Sequence, residues 1–542
     1  MSAEPIDAAA RPVVWSIAGT DSGGGAGLSA DQRMADAFHV QLCPVVAAVT
    51  AQSSVAVTRV EPLAPDLIEA QLLALEGDMP PAVVKTGLLG GVAQVALVAR
   101  WIDRLRARGP VALVVDPVLG SSTGAGFADA ATLRAYRELL LPRATAVTPN
   151  RREATALLGE GDAGQAAAAP ALAAALRSRL GAGSVCVTGG DSAQDGALAL
   201  DWIDTPQARG WLALPRQDTP HTHGTGCSFA TAVACALALG FVPADAAVLA
   251  KMATAQALRH GHAAGQGAGP VGTAAGFGLE RALLPRMSWA ETLDFEGAFG
   301  GDVADAAMLA IAGIAARRLD LYAIVDGAER ARRAIAAGVP TLQLRIKTPA
   351  APDAAWRAAL VHEVRDTVAA CRDAGVELFV NDHWQLAQEL DAGGVHLGQE
   401  DLLALGEAGR RVLRRSGLKL GISTHSLWEL CRAATLNPRY LACGPVWPTL
   451  TKAMPWRPQG LHNLAWWCAM APAPVVAIGG MLQAEQFELA ARCGADGLCA
   501  VRVLGDDPAG ALPALEQALR QGRAAPRAPV PALPHPSLAF AA

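Results

Sequence analysis

The chain has 542 residues, of which 52% are hydrophobic and 5% aromatic, and its formal net charge at pH 7 is −5. A chain of this length exceeds one hydrophobic core and predicts roughly two to four domains with aliphatic interiors. The slight acidic excess offers no basic footprint for nucleic acid. The apolar run after Phe229 is interrupted by Pro243 and Asp245 and is too short to span a membrane. We therefore expect neither a nucleic-acid partner nor a membrane partner.

The cysteines and the N-terminal stretch bear on the cellular compartment. The ten cysteines form no CxxC pair, and most of them lie in apolar runs. They indicate buried thiols in a reducing environment rather than a disulfide framework. The stretch MSAEPIDAAARP lacks the apolar core of a secretory signal. These features predict a cytoplasmic protein.

Short apolar runs alternate with helical patterns from residue 12 to residue 276. The runs are PVVWSIAG, CPVVAAVT, AVVKTGLL, VALVVDPV, ATAVTPN and GSVCVTGG. Strands that alternate with helices predict a mainly parallel sheet with helices on both faces.

In the stretch HTHGTGCSFATAV, residues 221–233, a cysteine stands where a glycine-rich turn becomes a helix. The amides of Gly224 to Gly226 and the positive end of the helix dipole would form an anion hole for a phosphoryl group in transfer. A thiol in this position, here Cys227, is expected to have a lowered pKa. A helix start with a packed cysteine explains the short motif alone equally well.

Three other segments carry polar residues at predicted strand ends. The segment SIAGTDSGGGAGLSAD, residues 16–31, runs from a strand into a glycine-rich loop that carries Asp21. It lacks the GK[ST] ending of a Walker A motif and the acidic residue of a dinucleotide-binding motif. The segments VVDPVLGSSTGAG and VTPNRREA place Asp116, Asn150 and Glu153 where they would hold a hydrated magnesium ion.

The motifs AGTDSGGGAG, AVTAQ, VKTGLL, VDPV, TPNRREA, VTGG and HGTGCSFATAVA, in this order, resemble the hydroxymethylpyrimidine/phosphomethylpyrimidine kinases of the ribokinase-like superfamily. The resemblance implies a three-layer α/β/α domain that uses ATP and Mg²⁺ to phosphorylate a pyrimidine alcohol and then its monophosphate. It implies that Gly19, Asp21 and Gln52 contact the substrate. It also implies that magnesium and ATP are organised by Asp116, Asn150, Glu153 and Thr188.

The resemblance places Cys227 at the transfer point, either as a base or only as part of the anion hole. The family usually has a lysine where this chain has Thr188. Lys85 and Lys251 are the candidates to replace the missing positive charge.

Residues 277–318 are predicted to form a helical connector, because DVADAAMLAIAGIAARR has a helical pattern. Eight short apolar runs, each followed by a loop and a helical stretch, then occupy residues 319–523 and predict a TIM (β/α)8 barrel. The proline-rich tail, residues 524–542, is predicted to be disordered. The polar residues at the predicted barrel strand ends, where the active site of such a barrel lies, are Arg345, Asn381, Asp382, Gln399, Ser423 and Thr449.

Asp382 and Asp401 end two successive predicted strands and would bind magnesium together with a diphosphate. Arg345, Lys347 and Lys452 are cations that suit the same diphosphate. The Gly-Gly turn of AIGGM follows the seventh predicted strand, where barrels often bind phosphate. Any one of these features alone is explained by solvated loop charges and turn glycines, but their joint position at strand ends favours a site.

The motifs LYAIVD, QLRIK, VNDH, VHLGQEDL, GISTHS, GPVWPTLTK, VVAIGGM and GADGLCAVRVL resemble the thiamine-phosphate synthases. The resemblance implies that the pyrimidine diphosphate loses pyrophosphate in a dissociative step and is captured by the nitrogen of thiazole phosphate. The implied pyrimidine diphosphate ligands are Gln343, Leu344, Arg345, Ile346, Lys347, Asn381, Ser423 and Lys452. The implied thiazole phosphate ligands are Thr449, Leu450, Thr451, Gly480, Val501 and Arg502, and the implied metal ligands are Asp382 and Asp401.

Two positions depart from the synthase pattern. Ile346 replaces the usual glutamate, and Arg502 stands where many relatives carry serine.

The product of the first implied reaction is the substrate of the second. The two resemblances therefore predict a bifunctional thiamine biosynthetic enzyme, while channelling between the sites is a separate hypothesis. The expected partners are the small molecules hydroxymethylpyrimidine, ATP and thiazole phosphate, and we expect a homo-oligomer. The alternative is a pyridoxal-type kinase whose C-terminal barrel only binds thiamine precursors.

Overall fold

A computed structural model describes residues 11–120, 126–159, 168–190, 196–293, 318–449 and 455–540. The chain forms two compact units, and the boundary between them falls between Pro285 and Arg286. The described part of the predicted connector contains two single-turn 3₁₀ helices, Phe277–Leu279 and Arg281–Leu283. Its predicted long helix, from residue 302 onward, lies outside the described residues apart from Arg318.

The strands of the first unit are β1 (Val13–Gly19), β2 (Gln41–Gln52), β3 (Val57–Pro62), β4 (Val83–Thr86), β5 (Ala112–Val115), β6 (Ala146–Val147), β7 (Val185–Thr188), β8 (Leu198–Asp204) and β9 (Arg209–Pro215). Its α-helices are α1 (Gly27–Ala37), α2 (Pro65–Glu76), α3 (Val92–Arg106), α4 (Ala130–Ala135), α5 (Arg151–Leu158), α6 (Ala169–Leu180), α7 (Thr225–Ala238) and α8 (Pro243–Arg259).

The first unit is built on a mainly parallel sheet. Its strand order is β9-β8-β7-β6-β5-β4-β1-β2-β3, and the strands from β7 to β2 run parallel, whereas β3, β8 and β9 are antiparallel. The direction in which successive strands are added to the sheet reverses between β1 and β4. Strand β2 lies on one side of β1, whereas β4 to β7 lie on its other side. In open parallel sheets, ligands bind outside the carboxyl ends of the strands at such a reversal.

The helices of the first unit pack in two groups, α1, α7 and α8 in one and α2 to α6 in the other, which completes the α/β/α layers. The sequence of α7, TGCSFATAVACALA, is apolar all round after its first turn, and residues 228–237 are buried. A helix of this kind belongs in a protein interior. It therefore fixes the glycine-rich turn at its N-terminus, residues 221–226, relative to the sheet.

The strands of the second unit are β10 (Arg286–Met287), β11 (Asp320–Val325), β12 (Thr341–Leu344), β13 (Glu377–Asn381), β14 (Gly394–Leu397), β15 (Lys419–Thr424), β16 (Tyr440–Cys443), β17 (Val475–Ala477) and β18 (Gly497–Ala500). Its α-helices are α9 (Ala328–Ala337), α10 (Ala354–Ala374), α11 (Trp384–Glu389), α12 (Gln399–Ala404), α13 (Gly406–Arg415), α14 (Leu427–Ala433), α15 (Gly460–Met470), α16 (Ala484–Arg492) and α17 (Pro508–Ala524).

Strands β11 to β18 form a closed parallel barrel in chain order, and β18 pairs with β11. This is the predicted TIM barrel. The carboxyl ends of all eight strands meet at one mouth, which is where enzymes of this fold carry their active sites.

The C-terminal tail differs from the predicted disorder. Residues 525–538 contain no helix or strand, but they lie against the barrel unit. Ala528 N donates to Arg492 O (3.0 Å), and Arg457 N donates to Ser537 O (2.8 Å). The proline-rich composition correctly excludes regular secondary structure, but partners elsewhere in the unit satisfy these backbone groups.

All ten cysteines lie within the described residues and are free thiols. Among the described helices, none combines the length and the hydropathy needed to cross a membrane.

Candidate active sites

The predicted kinase residues of the first unit lie along one edge of its sheet. Asp21 follows β1, Gln52 ends β2, Asp116 follows β5, Asn150 follows β6 and Thr188 ends β7. These are carboxyl ends of parallel strands on both sides of the β1/β4 reversal. The structure thus brings residues that are up to 167 positions apart in sequence to one edge of the sheet, which we call the crevice.

Asp21 organises the glycine-rich loop between β1 and α1. Its Oδ1 accepts from Gly23 N (2.8 Å), and its Oδ2 accepts from Gly25 N (3.0 Å) and Ala26 N (2.8 Å). Burial raises the pKa of Asp21, but the His223 ring and these amides outweigh burial and hold the pKa below its usual value. The carboxylate therefore stays ionised and keeps the loop in one conformation.

His223 and Gln52 lie beside Asp21. His223 Nε2 is 2.8 Å from Asp21 Oδ2 and 3.3 Å from Gln52 Nε2. The neighbouring Gly224 has a φ of +86°, and a Cβ there would lie 2.2 Å from Gly25 O. Only glycine fits this close approach, so the turn before α7 packs directly on the glycine-rich loop. Sequence analysis missed His223, although it stands in the quoted motif.

A buried ion pair lies under the crevice. Lys85 Nζ is 2.9 Å from Asp31 Oδ2, and neither side chain has any exposed surface. Ser16 Oγ and Thr231 Oγ1 donate to the same carboxylate (2.6 and 2.7 Å). Burial lowers the pKa of Lys85, but the negative charge of Asp31 outweighs it and raises the pKa above the usual value. The pair joins β4 to α1 and holds a fixed positive charge near Cys227 and Asp116.

We expect Lys85→Met to reduce the free energy of unfolding of the first unit by about 3–5 kcal/mol, because it leaves the Asp31 charge buried without its counter-ion. Urea unfolding followed by tryptophan fluorescence measures this loss. The control is Arg59→Met, which breaks the exposed pair with Glu61 and is expected to change little, because exposed ion pairs contribute little. Equal stability of the Lys85 variant and the control would contradict the inferred role of the buried pair.

Asp116 is the strongly perturbed carboxylate of the crevice. It is 5% exposed, and its Oδ2 has no hydrogen-bond partner among the described residues. Burial raises the pKa of Asp116 to about 7. The negative charges of Glu153 and Asp31 also raise it, whereas the positive charge of Lys85 lowers it. A buried carboxylate oxygen without a partner fits a cation, so Asp116 is suited to bind a magnesium ion.

The pKa of Asp116 predicts a pH dependence of the kinase. In the metal-free protein the carboxyl group is protonated below about pH 7, so Mg²⁺ must displace a proton, and its apparent affinity in the kinase reaction should weaken as the pH decreases through 7. Initial kinase rates as a function of Mg²⁺ concentration, at several pH values between about pH 5 and pH 9, measure this dependence. An aspartate with its ordinary pKa, 3.8, would leave the Mg²⁺ concentration for half-maximal rate unchanged down to about pH 5, and that result would contradict the assignment.

Cys227 lies at the N-terminus of α7, but the predicted lowering of its pKa is wrong. Burial raises the pKa of the thiol to about 12, and the charges of Asp116 and Asp31 add to this effect, while Lys85 opposes it. The helix terminus suggested a thiolate, but desolvation and two nearby carboxylates disfavour a further negative charge. Cys227 is thus a neutral thiol in this structure.

Asn150 and Glu153 form a capping box at the start of α5. Asn150 Oδ1 accepts from Glu153 N (2.9 Å), and Glu153 Oε2 accepts from Asn150 N (3.0 Å). Glu153 Oε1 also accepts from Leu119 N (3.3 Å), in the loop after Asp116. Both residues therefore shape the crevice wall through hydrogen bonds within the protein.

Thr188 ends β7 next to Asn150, and the structure places the two candidate replacement lysines. Lys251 Nζ is 2.7 Å from Asp201 Oδ2, and Asp201 Oδ1 accepts from Gly189 N (3.0 Å). Lys251 is therefore close to the position where the family usually has its lysine, whereas Lys85 lies near Cys227. Both lysines are paired with aspartates.

In the second unit, a cavity of about 490 Å³ lies at the ends of β11, β12 and β18. Arg345, Ile346 and Lys347 line one part of it, and Val501 and Arg502 line another. Three of the predicted pyrimidine diphosphate residues and two of the predicted thiazole phosphate residues thus face the same space. Its further lining residues include Arg330, Arg333, Asp326 and Asp506.

Ile346 removes a carboxylate from this cavity, and Arg502 adds an exposed cation. Both departures from the synthase pattern make the cavity more positive, which suits phosphate groups.

Asp382 and Asp401 follow neighbouring barrel strands, and both are exposed. Asp382 has a φ of +66°, and its N donates to His396 O (3.0 Å). Asp401 Oδ2 accepts from Gly398 N (2.9 Å) in the first turn of α12. Within the described ranges no cluster of three or more His, Cys, Asp or Glu side chains could hold a metal. A two-carboxylate donor set fits magnesium that takes its other ligands from a diphosphate and water.

The barrel interior contains a hydrogen-bonded chain that sequence analysis missed. Gln343 Nε2 donates to Tyr322 Oη (3.2 Å), which is 2.6 Å from Tyr440 Oη. His396 Nδ1 lies 2.7 Å from Tyr440 Oη, and its Nε2 lies 2.9 Å from Ser423 Oγ. Burial lowers the pKa of His396 to about 3, and the charges of Arg345 and His425 lower it further. The imidazole is therefore neutral, and the chain fixes two predicted pyrimidine ligands, Gln343 and Ser423.

The other predicted barrel residues occupy less uniform positions. Asn381 and Leu344 are buried at the ends of their strands. Gly480 lies in the turn after β17. Thr449 is partly exposed after β16, and Leu450, Thr451 and Lys452 lie outside the described residues.

The fold and the two sites define an α/β kinase unit joined to a TIM-barrel unit, each with a crevice suited to phosphate groups. The family model "Phosphomethylpyrimidine kinase" matches residues 21–272, and the model "Thiamine monophosphate synthase" matches residues 314–504. The chain is 34% identical over 471 residues to the chloroplastic "Thiamine biosynthetic bifunctional enzyme TH1" of Arabidopsis thaliana, and the match covers 87% of this chain and 85% of that protein.

Each half also matches proteins that carry one activity. The hydroxymethylpyrimidine/phosphomethylpyrimidine kinase of Synechococcus elongatus is 41% identical over 48% of this chain and 97% of its own length. The thiamine-phosphate synthase of Rhizobium etli is 44% identical over 35% of this chain and 90% of its own length. The chain therefore belongs to the family of bifunctional thiamine biosynthetic enzymes. It is a transferase with a pyrimidine kinase half and a thiamine-phosphate synthase half, as the two resemblances predicted.

Proposed function

We propose that the first unit carries out both phosphorylations at the crevice beside the β1/β4 reversal. The observation that supports this proposal is the convergence of Asp21, Gln52 and His223 at one end with Asp116 and Cys227 further along the same sheet edge. The amide and imidazole groups suit an aminopyrimidine edge. The carboxylate suits the magnesium ion that accompanies ATP, and the anion hole suits the transferred phosphoryl group.

In the first phosphorylation the hydroxyl oxygen of the substrate attacks the γ-phosphorus of ATP, ADP leaves, and the hydroxyl proton passes to solvent or to the phosphates. In the second, a phosphate oxygen of the monophosphate attacks the γ-phosphorus of another ATP, and ADP leaves again. The amides of Gly224 and Gly226 would stabilise the equatorial oxygens, with the positive end of α7 behind them. The Thr225 amide between them donates to Thr222 O (3.2 Å). The neutral thiol of Cys227 favours the anion-hole role over the role of base, the two roles that sequence analysis left open. Asp116 would hold Mg²⁺, which supplies charge neutralisation for the phosphates of ATP.

The second unit then joins the pyrimidine to thiazole phosphate at the barrel mouth. The bond between the pyrimidine methylene carbon and the diphosphate oxygen breaks, pyrophosphate leaves, and the thiazole nitrogen forms the new bond to that carbon. Arg345 and Lys347 would bind the diphosphate, and Gly480, Val501 and Arg502 would bind the thiazole phosphate. Asp382 and Asp401 would hold Mg²⁺, which stabilises the leaving pyrophosphate when bound.

Product stoichiometry tests this function. Purified protein with ATP, Mg²⁺, hydroxymethylpyrimidine and thiazole phosphate should form one thiamine phosphate and one pyrophosphate for every two ADP. Chromatography of the quenched reaction measures all of these products. Two ADP per pyrimidine without thiamine phosphate, even with thiazole phosphate in excess, would support the alternative of a barrel that only binds thiamine precursors.

A further inference from the structure

The C-terminal strap, which we define as residues 525–538, ends on two buried amide side chains of the barrel unit. His535 N donates to Asn463 Oδ1 (2.7 Å), and Asn463 Nδ2 donates to His535 O (3.0 Å). The His535 ring adds a third contact, from Nε2 to Gln459 O (2.8 Å). Gln459 is 0% exposed and Asn463 is 1% exposed. The strap therefore supplies hydrogen bonds that water does not supply to these residues.

Gln459 connects the strap to the loop after β16. Its backbone N donates to Pro445 O (2.7 Å), and its Nε2 donates to His425 O (2.8 Å). Its Oε1 accepts from Asn463 Nδ2 (2.9 Å). Buried polar networks whose groups are all paired are rigid, so Gln459 fixes the backbone at Pro445.

The segment 445–447 in turn contacts the turn after β17. Trp447 N donates to Gly479 O (3.1 Å). Gly480 has a φ of +76°, and a Cβ there would lie 2.6 Å from Trp447 O. The position of this glycine turn is therefore set by Trp447 and has little room to adjust.

We propose that the strap positions the thiazole phosphate site. His535 and Asn463 fix Gln459, Gln459 fixes segment 445–447, and that segment fixes the turn at Gly480. His535, Asn463 and Gln459 are positioning residues, since each acts on the site through other residues of the chain. The proposal rests on the assignment of Gly480 to thiazole phosphate made above. It gives the C-terminal segment, which has no regular secondary structure, a defined role in the synthase reaction.

Steady-state kinetics of the full chain test this proposal. We expect His535→Ala, which removes the ring contact with Gln459 O, to raise the KM for thiazole phosphate about threefold. We expect Asn463→Ala, which removes three hydrogen bonds, to raise it about tenfold. The KM for the pyrimidine diphosphate should change less than about twofold, and kinase activity should be unchanged. The double variant should raise this KM more than Asn463→Ala alone, because the His535 ring and Asn463 make separate hydrogen bonds to Gln459.

Val530→Ala, in an exposed part of the strap, is the matched control and should leave all constants unchanged. Unaltered KM for thiazole phosphate in the His535 variant would overturn the proposal, and so would an equal rise in both KM values. Gly480→Ala separates the two assignments. If it raises the KM for thiazole phosphate while the strap variants do not, only the strap proposal fails. If Gly480→Ala has no effect either, the assignment of Gly480 fails as well.

Discussion

We expect Asp116→Asn to reduce the kcat of both phosphorylations by about 10²–10³-fold, the size of effect seen when one preorganised electrostatic group is removed from a transition state. Asparagine has nearly the same shape as aspartate but carries no charge, so it preserves packing and weakens cation binding. The raised pKa of Asp116 reflects the free-energy cost of burying this carboxylate in the folded protein. A structural role alone would not require the charge.

ADP formation with hydroxymethylpyrimidine, and separately with its monophosphate, measures the effect of Asp116→Asn. Asp66→Asn is the matched control, because Asp66 is exposed on α2. The synthase activity of the same samples, assayed with preformed pyrimidine diphosphate, reports that the barrel unit is intact, and urea unfolding reports whether the first unit is folded. Kinase rates within about twofold of the parent would contradict the role of Asp116.

The second large effect is expected for Asp401→Asn, which should reduce thiamine phosphate formation by about 10²-fold and leave both kinase steps intact. The amide oxygen of asparagine can still accept from Gly398 N, so the first turn of α12 should form as before. The lost charge weakens magnesium binding at the barrel mouth. The pyrimidine diphosphate should therefore accumulate.

Glu400→Gln, at the adjacent exposed position, is the control for the charge change. Phosphorus NMR of the reaction mixture measures the accumulated diphosphate and the thiamine phosphate. Normal thiamine phosphate formation by the Asp401 variant would contradict the assignment of Asp401 to the metal site.

The alternation of apolar runs and helical patterns was sufficient to predict the architecture of both units. The polar residues at strand ends were also predictable, because parallel strands present their carboxyl ends at one edge. Asp116 after β5 and Asp382 after β13 follow this rule. The order of the motifs then predicted the two activities.

Features that depend on distant packing could not be predicted. Lys85 and Asp31 are 54 positions apart, and nothing in the local sequence pairs them. The expected low pKa of Cys227 was wrong for the same reason: the helix terminus is a local feature, whereas burial and the neighbouring Asp116 are tertiary features. The hydrogen-bonded chain from Tyr322 to His396 likewise forms only when the barrel is closed.

The prediction of disorder for the C-terminal tail, which rested on its composition, differs from the structure. A proline-rich segment lacks the pattern of a helix or a strand, and such segments are often disordered. Here the backbone of His535 pairs with Asn463, 72 positions earlier, and no propensity scale detects such a contact.

The central claim is that two separate sites act in succession on one pyrimidine, and complementation between two inactive chains tests it most directly. The Asp116→Asn chain alone should make no appreciable pyrimidine diphosphate, and the Asp401→Asn chain alone should make the diphosphate but little thiamine phosphate. An equimolar mixture with hydroxymethylpyrimidine, ATP, Mg²⁺ and thiazole phosphate should restore thiamine phosphate formation, because the diphosphate made by one chain reaches the barrel of the other. The contradicting result is a mixture that forms no more thiamine phosphate than either chain alone, although each chain retains the activity of its unaltered unit. That result would contradict the claim that a released diphosphate links two independent sites.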